Sequence, residues 1–129
     1  MQFGIILAVA LGGAAGSLAR YATAGFIQDA AWPGFPWGIF VVNITGGFIM
    51  GALTELMALK WSVTPELRAF LTVGVLGGYT TFSTFSLDSA LLIERGDYMS
   101  AALYIAGSAL LSVLALFLGL WVVRGLVAA

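Results

Sequence analysis

The chain has 129 residues, of which 61% are hydrophobic and 9% are charged, and its formal net charge is −1. Soluble domains carry about 25% charged residues, so this composition predicts an integral membrane protein. The near-neutral charge gives no footprint for nucleic acid, and the absence of cysteine and histidine excludes disulfides, thiolate nucleophiles, imidazole relays and the usual zinc sites.

Four apolar segments follow one another, and each reaches the roughly 20 residues that a membrane-crossing helix needs. We expect these spans over residues 3–24, 37–59, 67–93 and 99–127. The start of the chain has no basic n-region, so the first segment is expected to be a retained span rather than a cleaved signal. The connections are predicted as a loop with two prolines over residues 28–36, a polar stretch over residues 60–66 and a turn over residues 94–97.

The third span is expected to begin at a defined helix start. Thr64 is the predicted N-cap, and Pro65 is the predicted first helical residue. Glycines recur at a spacing of four in three spans, which favours close helix packing and says little about a substrate; the pairs are Gly12 with Gly16, Gly47 with Gly51, and Gly74 with Gly78.

The basic residues leave the orientation in the membrane open. With four spans, both termini share a side with Lys60, Arg68 and Arg124, whereas Arg20 and Arg95 lie on the other side. Three against two is a weak positive-inside bias. The chain therefore inserts either in one orientation or in both, with antiparallel pairing in the second case.

The third span contains the most informative segment of the chain. Gly77 and Gly78 weaken the helix there, and a cluster of hydroxyls and two phenylalanines follows over residues 79–86. Irregular backbone survives in a bilayer only where protein buries it or where it lines a polar space. We therefore predict a helix break near Gly77-Gly78 and an ion site beside it.

Polar residues inside the other spans are candidate site residues, because they are costly in a bilayer. Asn43 is either an interhelical hydrogen-bond partner or an amide donor on an anion path. Tyr104, Ser108 and Ser112 recur every four residues and share one helix face, which favours a polar track over isolated packing residues.

Two phenylalanines and one arginine complete the set of candidates. Phe82 and Phe85 are either packing residues or rings whose positive edges contact a dehydrated anion. Arg20, late in the first span, either reaches the interface or supplies positive potential at a pore entrance.

These residues resemble the Fluc fluoride channels, also called CrcB proteins, over essentially the whole chain. The motifs are Gly12-Gly13-Ala14-Ala15-Gly16 with Arg20, Gly38 to Asn43 with Gly46-Gly47, Gly77-Gly78-Tyr79-Thr80-Thr81-Phe82-Ser83-Thr84-Phe85-Ser86, and Glu94-Arg95-Gly96 with Tyr98. The third motif is the most specific of them.

The resemblance implies an all-α membrane protein, a single four-span channel domain over residues 1–129, that assembles as an antiparallel dual-topology homodimer in the bacterial inner membrane. It implies passive and selective export of fluoride. The residues that it assigns to the fluoride pathway are Asn43, Phe82, Phe85, Ser83, Thr84, Tyr104, Ser108 and Ser112. It also implies a structural sodium ion, bound by backbone carbonyls of Gly77 and Thr80, and an acidic position at Asp88 that is Glu in some relatives.

Two other classes of membrane protein compete with this interpretation. A small four-span drug/proton antiporter needs a carboxylate in its first span, and residues 3–24 contain no Asp or Glu. A structural membrane subunit would not need a hydroxyl-rich helix break. No nucleophile–base pair supports an enzyme.

Overall fold

The computed structural model describes residues 2–128, which form five helical segments with no strand among them. Helix α1 is Phe3–Ala30, α2 is Trp37–Leu59, α3 covers residues 65–79, α4 is Ser83–Glu94 and α5 is Tyr98–Ala128. Helices α1, α2 and α5 are each long and apolar enough to cross a membrane. The second span therefore has its predicted bounds, and the fourth is one residue longer at each end.

The first helix is six residues longer than predicted. Residues 28–30 continue α1 instead of belonging to the loop, because the first proline comes only at Pro33. Asp29 therefore belongs to α1, where it lies in the last turn and is exposed. The connection that remains before α2 is short.

The third span consists of two half-helices, α3 and α4. At 1.5 Å per residue they are roughly 22 Å and 18 Å long, so only together do they cover a hydrocarbon core of about 30 Å. The predicted start is confirmed, because the backbone N–H of Leu67 donates to Thr64 Oγ1 at 3.1 Å and Pro65 is the first helical residue.

The break between the half-helices lies a few residues later than predicted. Gly77 has helical angles (φ −62°, ψ −36°), and the helix ends only at Thr80, whose ψ of 158° is extended. The predicted break near Gly77-Gly78 is therefore present, but the two glycines are themselves helical and serve a different purpose. A Cβ at Gly78 would lie 2.7 Å from the carbonyl oxygen of Gly13, so this glycine lets α3 approach α1.

Glycines bring the helices together in two parallel pairs. In the first pair, a Cβ at Gly74 would lie 2.8 Å from Gly12 Cα, so α1 and α3 pack backbone to backbone. In the second pair, a Cβ at Gly47 would lie 2.7 Å from the carbonyl oxygen of Ser112, which seats α2 on α5. The close-packing interpretation of the spaced glycines is confirmed for these pairs.

A π-helical segment lies within α3 over Phe70–Leu76. Its carbonyls face the small residues of α1, since a Cβ at Gly12 would collide with the carbonyl oxygen of Phe70 and one at Gly16 with that of Val75. Such segments are rare and frequently accompany functional sites. Nothing in the amino-acid pattern predicted this one.

Most large apolar side chains point outward. The buried hydrophobic residues are few: Val42, Met57, Leu76, Leu92, Ala101 and Tyr104. An apolar exterior of this extent is the surface that lipid or another protein chain covers. Because the exterior is apolar, the polar side chains that could contact an ion are those inside the helix bundle and at the break.

Candidate ion pathway

The helix break is fastened to α2 by a side-chain amide. Asn43 Nδ2 donates to the carbonyl oxygen of Thr81 at 3.1 Å, and the Thr81 N–H donates to Asn43 Oδ1 at 2.9 Å. The two bonds satisfy the backbone N–H and the carbonyl of Thr81, which lies outside the helices, as a water-poor environment requires. Asn43 is therefore an interhelical hydrogen-bond partner, and it keeps one amide hydrogen for another acceptor.

Most hydroxyls around the break bond to nearby backbone. Thr80 Oγ1 donates to the Leu76 carbonyl at 2.9 Å, and Thr81 Oγ1 accepts from the Thr84 N–H at 3.1 Å, which caps α4. Ser86 Oγ donates to the Phe82 carbonyl at 2.8 Å. The hydroxyl-rich sequence thus builds the turn and the start of α4, in addition to any contact with an ion.

One cavity brings together most of the predicted pathway residues. It has a volume of 420 Å³ and lies between α2, α5 and the break. Its lining includes Asn43, Phe82, Phe85, Ser108 and Ser112. No lining residue is charged, so an anion there would meet donors and ring edges but no fixed positive charge.

Two hydroxyls in this cavity have no partner. The Oγ atoms of Ser108 and Ser112 are buried, and neither makes a hydrogen bond within residues 2–128. Ser108 is only 5% exposed. Because buried hydroxyls are normally paired, these two mark a place where a ligand or water is expected to accept their hydrogen bonds.

The phenylalanine pair stands at the edge of the cavity. The ring centroids of Phe82 and Phe85 are 5.5 Å apart. Phe85 is half-buried and its ring lies 5.2 Å from that of Tyr104, whereas Phe82 is 79% exposed. Core packing within this chain therefore does not explain Phe82.

Tyr104 is separated from the serines of its stripe. It is fully buried, and its hydroxyl donates to Asp88 Oδ2 at 3.0 Å. It lies behind Phe85 and does not line the cavity. Of the three hydroxyl residues in the predicted track, the two serines therefore line the cavity, whereas the tyrosine packs on the ring of Phe85.

A second cavity lies on the other side of α4. It has a volume of 430 Å³ and separates α4 from α1. Arg20, Thr84 and Asp88 line it together. The predicted entrance residue and one predicted hydroxyl thus meet here, while Ser83 is exposed and lies outside both cavities.

The carbonyls predicted to hold sodium are at the end of α3. Thr81 gives its N–H to Asn43 and not to the helix, and no hydrogen bond to the carbonyl oxygens of Gly77 or Thr80 is present within residues 2–128. No group of three acidic or histidine side chains offers a metal site in that part of the chain either. Free carbonyl oxygens are ligands that fit a hard cation.

Two acidic side chains near span ends have partners in other helices. Glu55 pairs with Arg124, with Nε to Oε2 at 2.9 Å. Asp88 accepts a hydrogen bond from the Tyr104 hydroxyl. No pattern in the sequence indicated the role of Gln28, which bonds one backbone group of the loop before α2 and one at the start of α2.

Comparisons with a family model and with individual known proteins point to the same family. Residues 7–120 match the family described as CrcB-like protein, Camphor Resistance (CrcB). A protein of Rhodospirillum centenum named fluoride-specific ion channel FluC is 55% identical over 124 residues, covering 96% of this chain and 98% of the relative. Proteins of the same name from Nitrobacter winogradskyi and Rhizobium meliloti are 52% and 50% identical, with 96% and 95% of this chain and 98% of each relative covered.

Proposed function

The chain belongs to the CrcB family of ion channels, which are not enzymes, and from this we propose that it is a fluoride-selective channel. It lets fluoride leave the cell passively and so limits fluoride toxicity. The observation that carries the proposal is the uncharged cavity in which two buried serine hydroxyls have no partner among residues 2–128. The relatives are bacterial, so we place the protein in the bacterial inner membrane.

The cavity suits a small, strongly hydrated anion. A selective pore has to replace the hydration shell with closely placed groups, yet bind weakly enough to release the ion. Ser108 and Ser112 offer two O–H donors, Asn43 offers one remaining N–H, and the phenylalanines offer ring edges. A lysine or arginine at this place would hold the anion too tightly to conduct.

We further propose that the working unit is an antiparallel homodimer with dual topology. The exposed ring of Phe82 and the outward-facing apolar surface support a protein partner at this site. The nearly balanced basic residues support insertion in both orientations. In that assembly, a second copy would close the open side of the cavity.

The proposal includes a structural sodium ion at the helix break, bound by the carbonyls of Gly77 and Thr80. These oxygens lack donors within the described chain, and a monovalent hard cation would satisfy them without being transported. Replacing sodium by a large organic cation should lower the stability of the dimer or its activity. Unchanged stability and activity after rigorous replacement would refute the sodium site and leave the fluoride pathway untouched.

A drug/proton antiporter is the main rival, and its key residue is missing from the membrane region of α1. The one acidic residue of that helix, Asp29, is exposed in its last turn. The two functions differ in coupling. In proteoliposomes, fluoride efflux through a channel should require a potassium ionophore to balance charge and should need no pH gradient. Efflux that depends on a pH gradient would contradict the channel.

A further inference from the structure

The loop before α2 is fastened from two sides. We call residues 31–36 the strap. Gln28 on α1 donates from Nε2 to the Phe35 carbonyl at 3.0 Å and accepts from the Gly38 N–H at 3.1 Å. Arg95, just after α4, donates from Nη2 to the carbonyl of Gly34 at 2.7 Å. Two hydrogen bonds to the strap and a third to the start of α2 thus fix the position of this loop.

The strap places one aromatic ring against the centre of the protein. The Phe35 ring meets that of Tyr104 edge to face, with centroids 5.6 Å apart and planes at 90°. Phe40 contacts the same tyrosine from α2, with centroids 6.2 Å apart. Tyr104 is fully buried and its ring also contacts Phe85. A shift of the strap would therefore displace Tyr104 and, through it, Phe85 at the cavity.

The half-helix that carries Phe85 has few other supports. Asn43 holds the backbone just before it, and α4 packs on α5 through Leu92, Ala101 and Tyr104. Toward α1 it faces the 430 Å³ cavity instead of a packed helix. A segment with so few contacts depends strongly on each of them.

We propose that Gln28 and Arg95 are positioning residues that hold the strap, and through Phe35 and Tyr104 keep Phe85 at the ion cavity. The link to transport rests on the proposed function, whereas the mechanical coupling between strap and cavity does not. Neither residue touches the cavity that holds the pathway serines. Their effect on that cavity would be indirect.

The mechanical part is tested without fluoride. The chain has no cysteine, so Ser108→Cys introduces a single thiol one turn from Tyr104. The rate at which a thiol reagent labels it, in purified dimer, reports the opening of the cavity. Each hydrogen bond contributes about 1 kcal/mol, so the loss of one bond in Arg95→Gln should raise the open population and the labelling rate about fivefold. Gln28→Leu loses two bonds, so its labelling rate should rise about thirtyfold.

The chain offers matched controls for both substitutions. Gln2→Leu changes the only other glutamine, which makes no side-chain capping bond, and Arg68→Gln changes an exposed arginine at the other end of the chain's third span. Neither should alter labelling. Arg95 is 55% exposed at its side chain, so its variant should fold even where Gln28→Leu does not. Equal labelling in strap variants and controls would overturn the proposal.

Flux measurements then connect the strap to transport. Fluoride flux per assembled dimer should fall in the Arg95 and Gln28 variants relative to Gln2→Leu and Arg68→Gln, and the Arg95→Gln loss should not change with ionic strength. A loss that disappears at high salt would show that Arg95 acts by attracting anions, which contradicts a positioning role. Faster labelling of the strap variants, together with a wild-type protein that carries no fluoride, would refute the proposed function and retain the coupling.

Discussion

The hydroxyls near the helix break divide into those with a partner and those without. Ser89 is buried and donates to the Phe85 carbonyl at 2.8 Å, whereas Ser108 is equally buried and makes no hydrogen bond within the described chain. The two residues have the same side chain and similar burial. Comparing them therefore distinguishes a structural hydroxyl from one that is available to an ion.

Ser108→Ala is expected to lower fluoride flux about tenfold, because a hydrogen bond to a charged group contributes roughly 1.5–3 kcal/mol. Thermal stability should hardly change, since no bond within the chain is lost. Ser89→Ala is the matched control and should leave flux unchanged. Flux and melting temperature are measured for both purified variants. Equal flux losses in the two variants would show that Ser108 is not a pathway residue.

Substitution of the phenylalanines separates ion contact from packing. Phe82→Leu should reduce flux about fivefold while the proposed dimer stays assembled, since an aromatic contact contributes about 1 kcal/mol. Phe85→Leu should reduce flux and also stability, because Phe85 packs on Tyr104. Flux is normalised to dimer recovered by size exclusion. Normal flux in both variants would place the ion path elsewhere.

Neighbouring glycines on α1 differ sharply in their surroundings. A Cβ at Gly12 would collide with the Phe70 carbonyl and lie 2.9 Å from Gly74 Cα, whereas a Cβ at Gly13 meets nothing within 4 Å. The obstacles at Gly12 are backbone atoms of α3, which cannot turn away as a side chain could. The contact between α1 and the π-helical segment thus depends on glycine at position 12, as it also does at Gly16.

Gly12→Ala should destabilise the protein by roughly 1–3 kcal/mol, the usual cost of overpacking, and Gly13→Ala should be close to neutral. Unfolding of both purified variants in denaturant measures the difference. If Gly13→Ala proved as harmful as Gly12→Ala, the closeness of α1 and α3 would not be the cause.

The sequence predicted the elements well and the details of the break less well. The length of the apolar segment was sufficient to predict α2, and the Thr64-Pro65 sequence was sufficient to predict where α3 begins. The glycines were taken for the break because they are poor helix formers, yet close packing on α1 keeps them helical. The real break needs the bond between Asn43 and Thr81, residues 38 positions apart, which no local pattern reveals.

The candidate site was predictable in residue type and only partly in arrangement. The four-residue spacing correctly placed Ser108 and Ser112 on one face, because a helix repeats every 3.6 residues. It could not show that Tyr104 turns to Asp88 and lies behind Phe85. Contacts between distant segments, including the strap, come from tertiary packing and leave no periodic signal.

The outward-facing apolar surface and the nearly balanced numbers of basic residues on the two sides of the membrane both bear on assembly. We expect C-terminal reporters that are active on opposite sides of the membrane to reveal both orientations of the unmodified protein. Adding two or three lysines to one terminus should fix one orientation, because basic residues are retained in the cytoplasm. Detection of a single orientation without added lysines would reject dual topology.

Fluoride that crosses passively and selectively through the uncharged cavity should leave liposomes much faster than chloride does. The measurement compares fluoride and chloride efflux from the same liposomes containing purified protein, with a potassium ionophore present to balance charge. We expect rapid fluoride release and chloride release that stays near that of empty liposomes. Equal rates for the two anions, or fluoride release no faster than from empty liposomes, would contradict it.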